Sequence, residues 1–467
     1  MGNNSGMYIN YEAVNKILND REYRVEYQKK LMGNYDGNNY TLVTIRINYP
    51  GIEKSNVLTD FMVNTILEDI ETYNFKHIIY NEKYKNGEGL IGHFIIDEDS
   101  LKVKKNMIEV EENHILGRCV DIDVYGNDNG KLYGVSRSDL GLQPRKCFIC
   151  QEEARICSRA QKHSLKDIND FFINRYEKYI LYRNEKNKLS YEISQLSLKA
   201  MIEEVSTMPS FGLVSPCTNG SHKDMNFYTF LNSSFAIAPF IKEMVEVGYS
   251  YSKISDIFSV IRRLGIDCEK KMFQVTNGIN THKGMIFLIG IVSASIGKAL
   301  YEGLQFKDIK SIIREMCKDI VEDFYNLDKK IKLSHGENLY LKYGFTGIRG
   351  EVFNGLEIIF DYALPIYESL SLKENELYAH TLLVIMSELN DSTIVHRHGI
   401  NELNEVKEKS KKILSLGGFN SCSGKELALQ FEKECIEMNI SPGGSADLLA
   451  VTIFLDEVQN KYFRIQP

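Results

Sequence analysis

Between Tyr40 and Tyr49 the chain reads Tyr-Thr-Leu-Val-Thr-Ile-Arg-Ile-Asn-Tyr, a β-branched and aromatic run with partial alternation that stops at Pro50-Gly51. Such a run predicts a strand closed by a turn. Shorter runs at Lys76 to Tyr80, Ile91 to Ile96 and Cys119 to Tyr125 alternate with helical patterns over Asn10 to Leu31 and Val57 to Tyr73. The first third therefore predicts an α+β unit. From Asn174 to Tyr191 the pattern turns charged and repetitive, which predicts an exposed helix running into a linker. Beyond it apolar residues recur at three- and four-residue intervals, as in Phe235 to Val247, Tyr251 to Leu264 and Leu377 to Leu389. That spacing predicts an all-α second unit. Two domains are expected, at 1–184 and 185–467.

Composition narrows the classes of function. The chain of 467 residues is 43% hydrophobic and 25% charged, which is enough apolar material for two cores. With 56 Lys and Arg against 63 Asp and Glu, the net charge of -7 gives no overall field for nucleic acid or anionic lipid, so neither is an expected partner. The longest apolar stretch, Met285 to Ile296, is about a dozen residues against the ~20 of a membrane-spanning helix, and predicts a buried helix. Nine cysteines, an odd number, and no apolar leader predict a cytoplasmic protein without structural disulfides. In the opening Met1-Gly2-Asn3-Asn4-Ser5-Gly6, glycine stands where a myristoylation signal has Ser or Thr, so no lipid anchor is expected.

Asp121-Ile122-Asp123 falls on a predicted strand, where side chains at i and i+2 share a face and two carboxylates can hold a divalent metal. Phosphoryl-transfer sites use such pairs, with Mg²⁺ stabilising the departing pyrophosphate. Arg118, Arg137, Arg145 and Lys54 offer donors for a polyphosphate. The string Glu-Asn-His-Ile-Leu-Gly-Arg-Cys-Val-Asp-Ile-Asp-Val over 112–124, with Ser136-Arg137-Ser138-Asp139-Leu140-Gly141 and Pro144-Arg145-Lys146-Cys147, resembles citrate lyase apo-carrier-protein phosphoribosyl-dephospho-coenzyme A transferase. The resemblance covers about residues 10 to 180, including Arg21-Glu22 and Gln28, and implies a nucleotidyltransferase-like fold. It also implies that a serine of the citrate lyase acyl carrier subunit attacks the 5''-phosphate of a triphosphoribosyl precursor and expels pyrophosphate. Asp121 and Asp123 are then the metal carboxylates, and Arg118 and Arg137 candidate phosphate contacts.

Cys147, Cys150, Cys157 and His163 put three sulfurs and an imidazole within 17 residues. The set suffices for tetrahedral zinc. Small buried thiols with a surface histidine explain it too, and zinc stays a secondary expectation.

In the second unit, Thr276-Asn277-Gly278-Ile279-Asn280-Thr281-His282-Lys283-Gly284 offers glycines for close phosphate approach, donors at Asn280, Thr281 and Lys283, and a proton carrier at His282. Further polar clusters are Ser334-His335-Gly336-Glu337, Gly347-Ile348-Arg349-Gly350-Glu351, Asn390-Asp391-Ser392-Thr393 and Ser441-Pro442-Gly443-Gly444-Ser445-Ala446-Asp447. Together with Gly212-Leu213-Val214 and Gly220-Ser221-His222-Lys223-Asp224-Met225, they resemble triphosphoribosyl-dephospho-coenzyme A synthase over about residues 195 to 460. The resemblance implies that the ribose 2'-hydroxyl of 3'-dephospho-coenzyme A attacks C1 of the ATP ribose and displaces adenine. Candidates are Asp224, Glu351, Asp391 and Asp447 for base or metal roles, and His222 and His282 for proton transfer. Lys283 and Arg349, with Asn280, Thr281, Gly443, Gly444 and Ser445, are candidates for the nucleotide. The chain departs from the family pattern at Ser210, where a lysine is usual, and at Ser215 and Asn226, where aspartates are usual.

The expected whole is a bifunctional transferase with Mg²⁺ as cofactor and the acyl carrier protein as partner. A malonate decarboxylase carrier, or a synthase half that only binds nucleotide, are the alternatives.

Overall fold

Alternating side chains call for a sheet whose two faces are covered differently, and the first unit supplies one. The computed structural model describes residues 11–35, 39–51, 54–73, 77–128, 131–321, 333 and 335–464. Asn10, Ile52, Glu53, Lys76, Ser334 and the Met1–Gly6 opening lie outside the described residues. The chain divides into two compact units, Met1–Glu185 and Lys186–Pro467.

The first unit runs α1 (Tyr11–Met32), β1 (Tyr40–Ile47), α2 (Val57–Tyr73), β2 (Ile78–Asn86), β3 (Gly89–Asp97), α3 (Ser100–Asn113), β4 (Val120–Asp128), β5 (Lys131–Val135), α4 (Ala154–Arg159) and the start of α5 (Leu165–Ser206). The sheet is antiparallel in the order β2-β3-β1-β4-β5. Its register sets Ile45 opposite Gly92 and Ile122, and Val43 opposite Phe94 and Val124. This face forms one core with Met62, Ile66 and Leu67 of α2, Val103, Met107 and Val110 of α3, and Phe172 and Tyr179 of α5. Gly92 admits the close approach of α2, since a Cβ there would lie 2.3 Å from Leu67 Cδ2. The opposite face carries Thr44, Arg46, His93, Asp121 and Asp123. Helix α1 reaches it through Gln28, whose Nε2 donates to Thr44 Oγ1 at 2.7 Å.

The charged stretch expected to run into a linker is helix throughout, because α5 continues unbroken to Ser206. Phe172, Tyr179, Ser190, Ile193, Ser197 and Ala200 are all buried, and their helical spacing gives α5 an inward stripe that the surrounding charges mask in the sequence.

The second unit continues from α5 into α6 (Phe227–Gly248), α7 (Ile254–Val275), α8 (Lys283–Glu302), α9 (Ile309–Met316), α10 (His335–Tyr343), α11 (Gly347–Phe353), α12 (Leu364–Ser369), α13 (Glu374–Glu388), α14 (Ser392–Arg397), α15 (Ile400–Ser415), α16 (Cys422–Glu437) and α17 (Gly443–Val458). It contains no strand among the described residues. Helix α8 is longer than the apolar stretch within it and is apolar enough over its 20 residues to cross a membrane, yet 78% of its most apolar window is buried inside the protein. It packs against α6 at a crossing of small residues. A Cβ on Gly248 would lie 1.9 Å from the Ala294 carbonyl oxygen, and one on Gly297 would lie 2.4 Å from the Val245 carbonyl oxygen.

That crossing generates a prediction. Gly297→Ala forces two backbones apart and should destabilise the second unit by about 1–3 kcal/mol. Gly265→Ala, whose Cβ would meet Met244 Cε at an ordinary 4.0 Å, should be neutral or stabilising by up to about 1 kcal/mol. Denaturant unfolding of the two variants side by side checks the contrast.

Candidate functional site

Two arrangements of ionisable groups stand out, one in each unit. In the first, the period-two geometry of β4 brings Asp121 and Asp123 to one face, and the register places Arg46 of β1 opposite Asp121. Arg46 Nη2 lies 3.6 Å from Asp121 Oδ2 and 3.4 Å from Asp123 Oδ2, while Arg145 Nη1 lies 3.1 Å from Asp121 Oδ1. The carboxylates keep 29% and 39% of their side-chain surface, so the pair is open to a ligand. Burial raises the Asp121 pKa, with Arg46 and Arg145 pulling against it. Lys54 is half-buried and its pKa is lowered, first by burial and then by the charge of Arg46. Behind them Glu88 is buried against Arg24 at 2.7 Å, with Arg46 and Arg21 at 3.9 and 3.8 Å.

The two arginines singled out from the sequence have other partners. Arg137 binds Glu112 at 2.7 Å and Glu111 at 3.2 Å on α3, and Arg118 donates to the Lys146 carbonyl. Arg46, Arg24 and Glu88 were not legible as site residues: Arg46 meets Asp121 through the strand register, while Arg24 on α1 and Glu88 in the turn before β3 come together only in the tertiary fold.

In the second unit a cavity of about 950 Å³ opens among α5, α6, α7, α8, α11 and α17, at the upper end of the range for small-molecule sites. It gathers His222, Asn280, Thr281, His282, Lys283, Arg349, Gly443, Gly444 and Asp447 from the sequence-based set. Glu204, Arg262 and Arg397 line it as well and were missed, each standing beside another ionisable residue in a helical pattern that reads as an exposed charged face. Asp224 is exposed, and neither it nor Ser445 or Asp391 lines the cavity. Glu351 lines a smaller pocket of about 150 Å³ with Asn390 and Glu388, and burial pushes its pKa up to about 7.

The starts of α8 and α17 both reach this cavity. His282 precedes α8, fully enclosed, with Nδ1 2.7 Å from Ser233 Oγ and its ring edge-on to Phe230. Burial holds its pKa down at about 3, so the ring is neutral. Thr281 donates to the same Ser233 hydroxyl, Asn280 Oδ1 accepts from the Lys283 N–H at 3.2 Å, and Lys283 Nζ pairs with Glu269 at 3.1 Å. A Cβ on Gly284 would lie 2.0 Å from Asp447 Oδ2, so glycine is what lets α8 approach α17.

Asp447 shares its surroundings with Glu204 and Asp391. Burial first, then the charges of Glu204 and Asp391, push Asp447 well above the usual carboxylate range, and burial pushes Glu204 up to about 8. Asp391 is held differently. It is 1% exposed, and its carboxylate accepts from Ser445 N at 2.8 Å, Ser445 Oγ at 2.9 Å and Thr393 N at 2.9 Å. It thereby caps α14 and fastens the first turn of α17.

Two of the three family departures, at Ser210 and Asn226, have local explanations; nothing in the structure explains Ser215. Ser210 is buried, and its hydroxyl donates to the Leu213 carbonyl at 3.0 Å and reaches Glu432 Oε1 at 3.3 Å, so α16 closes the loop where a lysine is usual. Gly212 follows at φ +86°, where a Cβ would lie 2.1 Å from the Ile440 carbonyl oxygen. Asn226 caps α6 reciprocally with Thr229. His222, whose pKa is lowered by burial and then by Arg397, meets Ser441 Oγ at 2.9 Å.

Comparison with known proteins assigns the two units separately. Residues 12–179 match the family model of apo-citrate lyase phosphoribosyl-dephospho-CoA transferase. Residues 190–464 match that of ATP:dephospho-CoA triphosphoribosyl transferase. Over nearly its whole length the chain is similar to "Protein CitXG" of Leuconostoc mesenteroides subsp. cremoris, at 32% identity covering 94% of this chain and 96% of the relative. It is likewise similar to "Protein CitXG" of Haemophilus influenzae, at 34% identity covering 96% of each. The 2-(5''-triphosphoribosyl)-3'-dephosphocoenzyme-A synthase of Haemophilus ducreyi is 35% identical over 66% of this chain and 98% of the relative.

A stability test follows from Glu204. Its carboxyl ordinarily titrates at 4.5 and does so at about 8 in the folded state. Its contribution is therefore full below pH 4.5 and is lost as pH rises through about 8. Glu204→Gln should flatten the decline of melting temperature across that window, as followed by thermal unfolding at a series of pH values.

Proposed function

From a chain that belongs to the family joining apo-citrate lyase phosphoribosyl-dephospho-CoA transferase to ATP:dephospho-CoA triphosphoribosyl transferase, we propose the following division of chemistry between its two units. The protein is a bifunctional transferase of citrate lyase prosthetic-group biosynthesis. The single observation that carries the residue-level reading is that each unit holds its own site. One is an open carboxylate pair ringed by arginines, the other a large cavity with buried acids and cations at its edge.

In the second unit, ATP and 3'-dephospho-coenzyme A enter the cavity of about 950 Å³. Lys283, Arg262, Arg349 and Arg397 take the triphosphate, helped by the N-terminal end of α8. The ribose 2'-hydroxyl of dephospho-coenzyme A bonds to C1 of the ATP ribose as the C1–adenine bond breaks. The hydroxyl's proton leaves to a base and the departing adenine receives one. The raised pKa of Glu204 and Asp447 supports one of them as the donor to adenine, the other, once ionised, as the acceptor. Neutral His282, held through Nδ1 by Ser233, orients this end of α8. Asp391 acts through α17 as a positioning residue.

In the first unit the triphosphoribosyl product presents its 5''-phosphate to a serine of the acyl carrier protein. The serine oxygen bonds to that phosphorus while the bond to pyrophosphate breaks. Asp121 and Asp123, side by side and partly open, fit Mg²⁺, which when bound supplies charge neutralisation at the phosphates. Arg46 and Arg145 hold the two carboxylates in place, and Lys54 stands ready as a phosphate donor. The sheet and paired aspartates support a nucleotidyltransferase-like unit. Nine cysteines, none of them in a disulfide, and nucleotide substrates support work in the cytoplasm.

The test separates the two reactions. Asp121→Asn or Asp123→Asn should lower carrier loading by at least about 10²-fold while leaving adenine release from ATP and dephospho-coenzyme A intact. Gly284→Ala, which drives a methyl group into Asp447, should do the reverse when precursor is supplied. Adenine is followed by chromatography and the carrier by intact mass. Equal damage to both steps in either variant refutes the division, and loading of a malonate decarboxylase carrier in preference to the citrate lyase carrier refutes the partner.

A further inference from the structure

We propose that Cys147, Cys150, Cys157 and His163 bind one structural zinc ion, and that this ion fixes the hairpin carrying Arg145 beside strand β4. The four ligand atoms all lie within 4.8 Å of one another. Cys157 Sγ is 3.5 Å from Cys147 Sγ and 3.8 Å from Cys150 Sγ. Zn–S bonds of about 2.3 Å at tetrahedral angles set two sulfurs about 3.8 Å apart, whereas a disulfide sets them about 2.0 Å apart. His163 Nε2 is buried without a hydrogen-bond partner among the described residues, although the rest of its loop is exposed. The Ile149 N–H donates to Cys147 Sγ at 3.4 Å, the kind of contact that stabilises a thiolate ligand.

The segment also needs a cross-link. Of residues 141–164, Cys157 alone is buried, while Ile149 and Ile156 are 38% and 58% exposed. Yet the backbone is ordered as a hairpin. Lys146 bridges to Glu153, the Cys147 N–H donates to the Glu152 carbonyl at 2.7 Å, and the Ala154 N–H donates to the Arg145 carbonyl at 2.9 Å. Apart from the Phe148 ring stacked on Phe171 at 4.5 Å, little apolar contact holds it. Small segments of this kind are stapled by metal or disulfide. Sulfurs at 3.5 and 3.8 Å favour the metal, with three thiol protons released to solvent as it binds.

The hairpin matters for what its first residue does. Arg145 Nη1 lies 3.1 Å from Asp121, and Arg145 Nη2 donates to the Val120 carbonyl at 3.1 Å. Arg118 ties back to the carbonyl of Lys146 next door. Zinc therefore acts on the transferase step by positioning Arg145. This last part rests on the reading of Asp121 and Asp123 as the transferase site, and the metal itself does not.

The full-length protein, untagged, is analysed for metal by mass spectrometry of the elements and for free thiols by intact mass. One zinc per chain is expected, released as a mercurial titrates the three thiols. Cobalt exchange should give ligand-field bands of a tetrahedral ion with thiolate charge transfer. His163→Cys should retain the metal, and Cys150→Ser should lose it together with at least about tenfold of carrier loading, while adenine release persists. Zinc-free protein that takes up no cobalt, a disulfide among the three cysteines, or zinc that survives Cys150→Ser with Cys157→Ser would each overturn the proposal. Stoichiometric zinc with unchanged loading after its removal would keep the site and overturn its link to Arg145.

Discussion

A carboxylate withdrawn from water must be given hydrogen-bond donors, and in the second unit Asp391 receives them from Ser445 of another helix and from the start of its own. Its bonds to Ser445 fix where α17 begins, and the start of α17 fixes Asp447 in the cavity. Asp447 in turn sets the closest approach of α8 at Gly284, which carries Lys283 and His282 with it. One saturated carboxylate behind the cavity thus sets the spacing of the groups inside it. Removing those donors would leave the Asp391 carboxyl, whose pKa burial already raises, without partners, so this chain of contacts is held by necessity and not by packing alone.

The two units gather polar groups by different routes. In the first, alternation along β1 and β4 sends Val43, Ile45 and Ile122 to the core and Arg46, Asp121 and Asp123 to the other face. Opposite charges at fixed strand spacing then need no loop to hold them. In the second, no strand is present among the described residues, and the polar groups come from helix starts and the ends of loops, from the helix ends at Glu204 and Arg397, and from the middle of α7 at Arg262. Glycines at 212 and 284 allow the backbone to come closer there than any side chain would permit.

Much of the fold was legible. The run at Tyr40 is β1, the runs at Ile91 and Cys119 fall in β3 and β4, and the three- and four-residue spacings fall in α6, α7 and α13. Helix α3 escaped because Val103, Met107 and Val110 stand among lysines and glutamates, and β5 because five residues with one buried position carry almost no pattern. The stripe along α5 was hidden by its charged exterior in the same way. At the sites, local motifs were legible and distant partners were not. Asp121 with Asp123, and the run from Asn280 to Gly284, announce themselves by spacing. Arg46 needs the strand register, and Glu204 needs the tertiary fold that buries it beside Asp447.

The contact between Gly284 and Asp447 also constrains how this chain can vary. A side chain at 284 would have to push the Asp447 carboxylate from its place, and shortening 447 to make room removes the carboxylate from the cavity. Neither position can change first without loss, so drift at one is conditional on the other. The pair therefore works as a lock and its keyhole: in this chain the acid keeps its place in the cavity only while the facing helix offers it no side chain.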